Sequence, residues 1–243
     1  MMKSIFREGV YAGKAVFVAG GTSGINLEVA KGFAASGARV SVMSRKQDNV
    51  DTAVQKLKAT GAEAIGFAAD VRDFDAVKQA FVETEAAIGK LSVIVSGAAG
   101  NFVAPAEKLS PNGFKTVVDI DLVGTFHVMK AGFDHLMQGD ASIVNMSAPQ
   151  SSHPYAFQSH VCSAKAGIDM LTKALALEWG RYGIRVNAIQ PGPIDGTEGM
   201  ERLSPTPEIR RQIEGMLPLK RYGEKQEIAD LVLFLCSPAA RYI

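Results

Sequence analysis

The sequence is poor in cysteine and tryptophan, with two cysteines and one tryptophan in 243 residues. Cys162 and Cys236 form neither a metal-type pair nor a disulfide framework, so a cysteine-held metal site and a stapled secreted fold are both excluded. No metal site is expected, and two small thiols in a reducing compartment account for the cysteines. Long apolar runs are missing too. The longest late stretch, from Leu231 to Cys236, falls far short of the roughly 20 residues a membrane span needs. The opening segment from Met1 to Glu8 lacks the apolar centre of a signal peptide. Charge is scarce and balanced, with 26 Lys+Arg against 25 Asp+Glu, and no long basic run occurs. That balance excludes the electrostatic signature of nucleic-acid and anionic-membrane partners. These absences together predict a cytoplasmic protein.

What is present is core-forming material. Hydrophobic residues make up 47% of the chain and charged residues 21%, which excludes a disordered chain and suits one α/β domain over residues 1–243. Apolar runs of strand length alternate with longer segments of helical period, the pattern of a doubly wound parallel sheet covered on both faces. Strands are predicted at 14–19, 39–44, 64–69, 91–96, 141–146 and 184–190. Helices are predicted at 24–36, 47–60, 73–88, 112–137, 157–181 and 224–236. Gly37, Gly61, Gly89 and Gly183 fall where helices should stop. Residues 191–223 break the rhythm with Pro191, Pro193, Pro205, Pro207 and Pro218. A segment that long reads as a lid-like insertion near 193–217, the alternative being a passive surface excursion with one short helix.

Gly20, Gly21, Thr22, Ser23, Gly24 and Ile25 follow the first strand and open the first helix. Glycines there let the backbone approach a pyrophosphate, and the helix start supplies free N–H groups and a positive dipole end. Strand, glycine turn and helix in this order predict a Rossmann-type nucleotide site. The second strand ends in Ser44, Arg45 and Lys46 with no carboxylate to bind ribose hydroxyls. Arg45 offers a planar charged fork suited to a 2′-phosphate, and Ser44 a hydroxyl, so NADP (NADPH) is the predicted cofactor.

The G-x-x-x-G-I spacing resembles the short-chain dehydrogenase/reductase family, and further landmarks follow in order. Asp70 and Val71 resemble its adenine-binding step. Gly97, Ala98, Ala99 and Gly100 resemble its Asn-Asn-Ala-Gly signature. Arg185, Val186 and Asn187, then Pro191, Gly192, Pro193 and Ile194, match its sixth strand and the turn that meets the nicotinamide. Asn26 departs from the pattern, which has a third glycine there; the asparagine either crowds the pyrophosphate or reaches a neighbouring polar group. The family also continues beyond Ile243 with a last strand, so the final strand and tail are expected to be missing here. It further implies a homotetramer.

The family's serine, tyrosine and lysine act together on a substrate oxygen. By register the serine position is Ala148, with Ser147 one residue early, and the tyrosine position is Val161. Lys165 alone matches. A valine donates no proton, so a hydride acceptor that is protonated on carbon fits better than a carbonyl. A conjugated C=C of a thioester is such an acceptor, because its hydride adduct is an enolate stabilised by hydrogen-bond donors.

The segments Ala98 to Phe102, Val118 to Asp121, Gly124 to Phe126, Pro191 to Ile194 and Gly196 to Met200 resemble 2,4-dienoyl-CoA reductases, and their peroxisomal branch in particular. That resemblance implies an acyl-CoA substrate, Asp121 and Lys165 as the catalytic pair that positions a protonating water, and a peroxisomal location if the source is eukaryotic. The mitochondrial branch's tyrosine and asparagine fall at Gln150 and Val123. Asn101, Phe102, Ser147, Phe157 and Met200 are expected at the substrate, with Leu203 and Met216 beside them. Arg202, Arg210 and Arg211 are candidates for the coenzyme A phosphates or simply a solvated face. Asp121 could instead pair with Lys165 for stability alone. Two other functions stay open: a carbonyl or alcohol reductase using Tyr155 or His160, and a non-catalytic NADP-binding scaffold.

Overall fold

The computed structural model describes residues 9–243. Six parallel strands form its sheet: β1 (Ala15–Ala19), β2 (Arg39–Ser44), β3 (Ala64–Ala68), β4 (Val93–Ser96), β5 (Ala141–Met146) and β6 (Ile184–Ile189), in the order β3-β2-β1-β4-β5-β6. β1 is buried at every residue, as a central strand covered on both faces must be. The expected strands all occur, each within about two residues of its predicted bounds.

Helices α1 (Gly24–Ala35), α2 (Gln47–Lys58), α3 (Phe74–Ile88), α4 (Pro111–Val118), α5 (Gly124–Gly132), α6 (Ser159–Trp179), α7 (Glu198–Leu203), α8 (Pro207–Met216) and α9 (Lys225–Cys236) cover the sheet and its C-terminal edge. Two cores result. One gathers Val16, Val18, Phe33, Val42, Leu57 and Leu233, and the other gathers Phe17, Phe81, Ile94, Met129 and Ile143. Alternate residues of β1 thus serve opposite faces. Gly37, Gly61, Gly89 and Gly183 all have positive φ at the helix ends they were expected to close.

Two expectations are corrected. The continuous helix over 112–137 is instead α4, a widened π turn at Asp119–Val123, α5 and a 3₁₀ turn at Phe133–His135. The segment after β6, expected as a lid-like insertion, carries α7 and α8. Thr197 and Thr206 cap them by accepting from Met200 N and Ile209 N, the usual chemistry of helix starts. Phe157, expected as the first helical residue of α6, lies outside it with φ of 64°.

The chain leaves β1 in opposite directions to β2 and to β4, by a crossover. In an open parallel sheet the crevice for a ligand forms at that reversal, at the strands' C-terminal ends. A cleft of about 670 Å³ lies there, between the tips of β1, β2, β4 and β5 and the segment that carries α7. Backbone pairing of Asp195 N with Gly223 O (2.8 Å) and Gly223 N with Pro193 O (3.0 Å) clasps the base of that segment.

Candidate active site

The cleft's first wall is the turn after β1. Gly20 has φ of 74° and donates its N–H to Met43 O at 2.8 Å. A side chain there would put Cβ 2.8 Å from Ala98 N, so only glycine lets the turn lie against the end of β4. Ser23, extended at φ −153°, is the N-cap of α1 but its hydroxyl caps nothing. The first-turn N–H groups of α1 therefore face the cleft with no side-chain acceptor, beside the positive end of the helix dipole. Thr22, Ser23, Gly24 and Ile25 all line it.

At the second wall Ser44, Arg45, Asp70 and Val71 also line the cleft. Arg45 is exposed and makes no hydrogen bond or ion pair among the described residues. Asp70 is differently placed. Arg72 grips it through Nε to Oδ1 at 3.0 Å and Nη2 to Oδ2 at 2.7 Å. Those hydrogen bonds hold the Asp70 carboxyl below its ordinary range against a smaller opposing effect of burial. Ala98, Gly100, Pro191, Gly192 and Ile194 complete the predicted nucleotide set, and each of them faces the same cleft.

The chemistry sits deeper. α6 presents His160, Val161, Ala164, Lys165, Ile168, Thr172 and Leu175 as one buried stripe, the i, i+3/i+4 face of an amphipathic helix. Lys165 on that stripe is only 6% exposed. Its Nζ donates to Met146 O at 3.1 Å and lies 3.2 Å from Asp121 Oδ2. Asp121 is fully buried. Its Oδ1 accepts from Gly100 N at 2.7 Å, whereas Oδ2 accepts no hydrogen bond despite the nearby ammonium. The contact with Lys165 is thus an ion pair without an aligned hydrogen bond. Burial raises the Asp121 carboxyl, and the charge of Lys165, the Gly100 N–H and His160 oppose it only in part.

The π turn explains how a carboxylate comes to be there. It widens the backbone between α4 and α5, and Thr125 Oγ1 caps the loosened carbonyl of Asp121 at 2.6 Å. Such single-turn bulges occur often where a helix must re-aim a functional side chain. Val161, 3% exposed, lines the cleft and packs with Val117 and Ala164. No hydroxyl stands at that position. Ser147 lines the cleft, and its Oγ is buried without a partner.

Of the residues expected at the substrate, Asn101, Ser147 and Met200 line the cleft and Leu203 joins them. Phe102 and Phe157 do not. They are 40% and 55% exposed on neighbouring loops, joined where Ala104 N donates to Phe157 O at 3.0 Å. The Phe102 ring lies 4.4 Å from the ring of His160. Met216, 71% exposed, also stands away from the cleft. The three arginines are engaged within the protein. Arg210 binds Asp195 and Glu214 and covers the Tyr222 ring at 4.5 Å; Arg211 binds Glu208. Arg202 pairs with Glu198 and donates to Asn101 O at 3.1 Å, tying α7 across the cleft.

A profile described as enoyl-(acyl carrier protein) reductase matches residues 19–243. A peroxisomal 2,4-dienoyl-CoA reductase (producing (3E)-enoyl-CoA) of Arabidopsis thaliana is 42% identical over 252 aligned positions, covering 100% of this chain and 84% of that protein. A probable 2,4-dienoyl-CoA reductase (producing (2E)-enoyl-CoA) of Bacillus subtilis is 39% identical, covering 95% of this chain and 92% of the other. Among solved structures, a short chain dehydrogenase from Bacillus anthracis superposes with a TM-score of 0.85 at 34% identity, covering 95% of this chain and 92% of that one. The chain belongs to the short-chain dehydrogenase/reductase family.

As a short-chain dehydrogenase/reductase it is an oxidoreductase that uses a nicotinamide cofactor. Further residues line the same cleft. Gln150 lines the cleft with its Nε2 on Gln158 Oε1 at 3.0 Å and its own Oε1 buried and unpartnered. Lys46 and Asn49 line the cofactor end beside Arg45. Position in the chain signalled both, since Lys46 follows Arg45 directly and Gln150 falls where the mitochondrial branch has its tyrosine. Tyr155 also lines the cleft and is 45% exposed. His160 is set behind the wall, with Nε2 on Phe102 O at 3.0 Å.

Proposed function

We propose that the protein is an NADPH-dependent reductase that adds hydride to a conjugated C=C of an acyl-CoA, a 2,4-dienoyl-CoA reductase. One observation carries the reading. Where the family's phenol would stand the cleft wall is Val161, and opposite it a fully buried Asp121 keeps one oxygen free beside Lys165. Two relatives that cover 100% and 95% of the chain bear the name of this reaction.

The residues fit the cofactor. The glycine cradle approaches β4 so closely that a side chain would clash, while a Cβ built on Gly24 or Gly192 meets nothing within 4 Å. The uncapped start of α1 suits the pyrophosphate, and the unpaired Arg45 suits a 2′-phosphate. NADPH supplies the hydride when bound. Lys165 holds positive charge at the centre of the cleft through its anchor on Met146 O.

Hydride addition at C5 of a 2,4-dienoyl thioester moves the electron pair onto the thioester oxygen as a dienolate. Ser147 Oγ, buried and unpartnered, is the donor available for that oxygen. The dienolate then takes one proton at carbon. Asp121 Oδ2 and Lys165 Nζ supply an acceptor and a donor for the water that delivers it, an arrangement in which no phenol is required.

Tyr155 favours a second reading, carbonyl reduction, because its phenol lines the cleft. Incubating the protein and NADPH with 2,4-hexadienoyl-CoA and, separately, with a ketone panel decides between them. Oxidation of NADPH with the dienoyl thioester alone supports the proposal. Oxidation with ketones alone supports Tyr155 chemistry, and oxidation with neither leaves a nucleotide-binding scaffold. No helix among the described residues is long and apolar enough to cross a membrane; a cytoplasmic location is part of the proposal. The proposal includes a homotetramer, in which a neighbouring copy covers Met170 and Leu177, 64% and 86% exposed on α6; light scattering tests it.

A further inference from the structure

Asn26 stands in the first turn of α1, where the glycine pattern of the family would leave bare backbone. Its Nδ2 donates to Gly97 O, at the end of β4, at 2.8 Å. The carbonyl partner fixes which amide atom is the nitrogen. Oδ1 is therefore the free end, and it is buried with no hydrogen-bond partner. Asn26 and Gly97 both line the cleft. A Cβ built on Gly97 would lie 2.3 Å from Asn26 Nδ2 and 2.5 Å from Oδ1. The amide of Asn26 thus occupies the volume that a side chain at position 97 would take, and the two residues act as one unit.

We propose that Asn26 is a cofactor-positioning residue: its amide pins the glycine turn to the end of β4 and holds Oδ1 in the cleft wall as an acceptor for a hydroxyl or amide N–H of NADPH. A buried acceptor left unsatisfied is costly, and native proteins rarely keep one without a use. A donor on the bound dinucleotide removes that cost. The proposal rests on the NADPH reading above. It differs from a purely structural clamp in one respect: the cofactor-free protein gains nothing from Oδ1, so the benefit appears only on binding.

Calorimetric titration with NADPH of the wild type, Asn26→Gly, Asn26→Asp, Gly97→Ala and the double variant Asn26→Gly/Gly97→Ala tests it, with melting temperatures measured with and without NADPH. Asn26→Asp keeps the volume but sets a carboxylate oxygen against Gly97 O. Each single variant is expected to weaken NADPH binding by about 10-fold, the worth of one hydrogen bond of roughly 1.4 kcal/mol. Gly97→Ala acts by expelling the Asn26 amide, so the double variant is expected to bind no worse than Asn26→Gly alone. Loss of the Gly97 O clamp lowers the cofactor-free melting temperature of each variant somewhat, and in addition the rise that NADPH induces shrinks. Wild-type affinity in Asn26→Gly and Asn26→Asp overturns the proposal and leaves the NADPH reading intact. So does a fall in cofactor-free melting temperature at unchanged affinity, or additive losses in the double variant. A wild type that binds no NADPH overturns both.

Discussion

Lys165 Nζ lies 3.2 Å from Asp121 Oδ2 and donates to Met146 O, while that carboxylate oxygen accepts no hydrogen bond. Anchoring to the backbone means the ammonium keeps its place when the carboxylate changes. Asp121→Asn preserves the shape and the Oδ1 that accepts from Gly100 N, but loses the negative partner for the protonating water. Turnover of a dienoyl-CoA is expected to fall about 10²–10⁴-fold, the usual worth of positioned proton transfer. NADPH affinity is expected to change far less. Steady-state kinetics beside a binding titration checks this; a variant that loses cofactor binding and melts early instead marks the pair as structural.

The pH dependence follows from the same burial. Desolvation raises the Asp121 carboxyl above the ordinary aspartate value, with Lys165, Gly100 N–H and His160 opposing. The reaction needs the carboxylate, so kcat/KM is expected to fall as pH drops through a point above about 3.9. The stability consequence has the opposite sense to a salt-bridged surface aspartate. A raised folded-state pKa means the native state holds its proton more tightly than the unfolded chain. Stability from this group is therefore lost as pH rises from the ordinary range through the raised value. Asp121→Asn removes both effects, which pH-rate profiles and melting curves of the two proteins will show.

Legibility in the sequence divides along these same residues. Strand positions could be read because a buried parallel strand is continuously apolar, and glycines at positive φ ended the helices where expected. Lys165 could be placed because it matches the lysine of the family motif, and in the structure it falls on the buried stripe of α6. The π turn could not, since Asp119, Ile120, Asp121 and Leu122 have ordinary helical composition and only tertiary packing inserts the extra residue. One local sign existed: Asp119 and Asp121, two residues apart, point to different faces of a regular helix, so they cannot share one environment. Phe102 and Phe157 were placed at the substrate on apolar character alone. Nothing in that character distinguishes a cleft from the exposed loop surface where they stand. The engagement of Arg210 with Asp195 and Tyr222 is likewise a product of folding, joining residues 15 and 12 positions apart.

Arg45 makes no hydrogen bond or ion pair among the described residues and stands at the cleft's edge, so its replacement should disturb binding and not folding. Arg45→Ala is expected to lower kcat/KM for NADPH about 10–100-fold, the loss of one or two charge-assisted hydrogen bonds. Activity with NADH should hardly move, because that cofactor carries no 2′-phosphate. Raising the salt concentration should narrow the gap between wild type and variant, as expected for a partly exposed charge pair. An unchanged cofactor preference in competition kinetics would assign the 2′-phosphate to other groups.

The position of the free Asp121 oxygen also bears on which product forms. A dienolate offers two carbons to the incoming proton: protonation at C2 leaves a 3-enoyl thioester, and protonation at C4 leaves a 2-enoyl thioester. The Arabidopsis relative is named for the first product and the Bacillus subtilis relative for the second. On the proposed mechanism, a water between Asp121 Oδ2 and Lys165 Nζ, in the cleft that Ser147 also lines, would serve the carbon next to the thioester. The 3-enoyl product is therefore expected. Turnover in heavy water should place solvent deuterium at C2, while NADPH deuterated at the transferred position should label C5, both readable by mass spectrometry and NMR of the product. In Asp121→Asn the residual product should shift toward the 2-enoyl isomer, because a proton from bulk water is no longer directed to C2. Solvent label at C4 in the wild type would separate Asp121 from proton delivery, whatever its effect on rate.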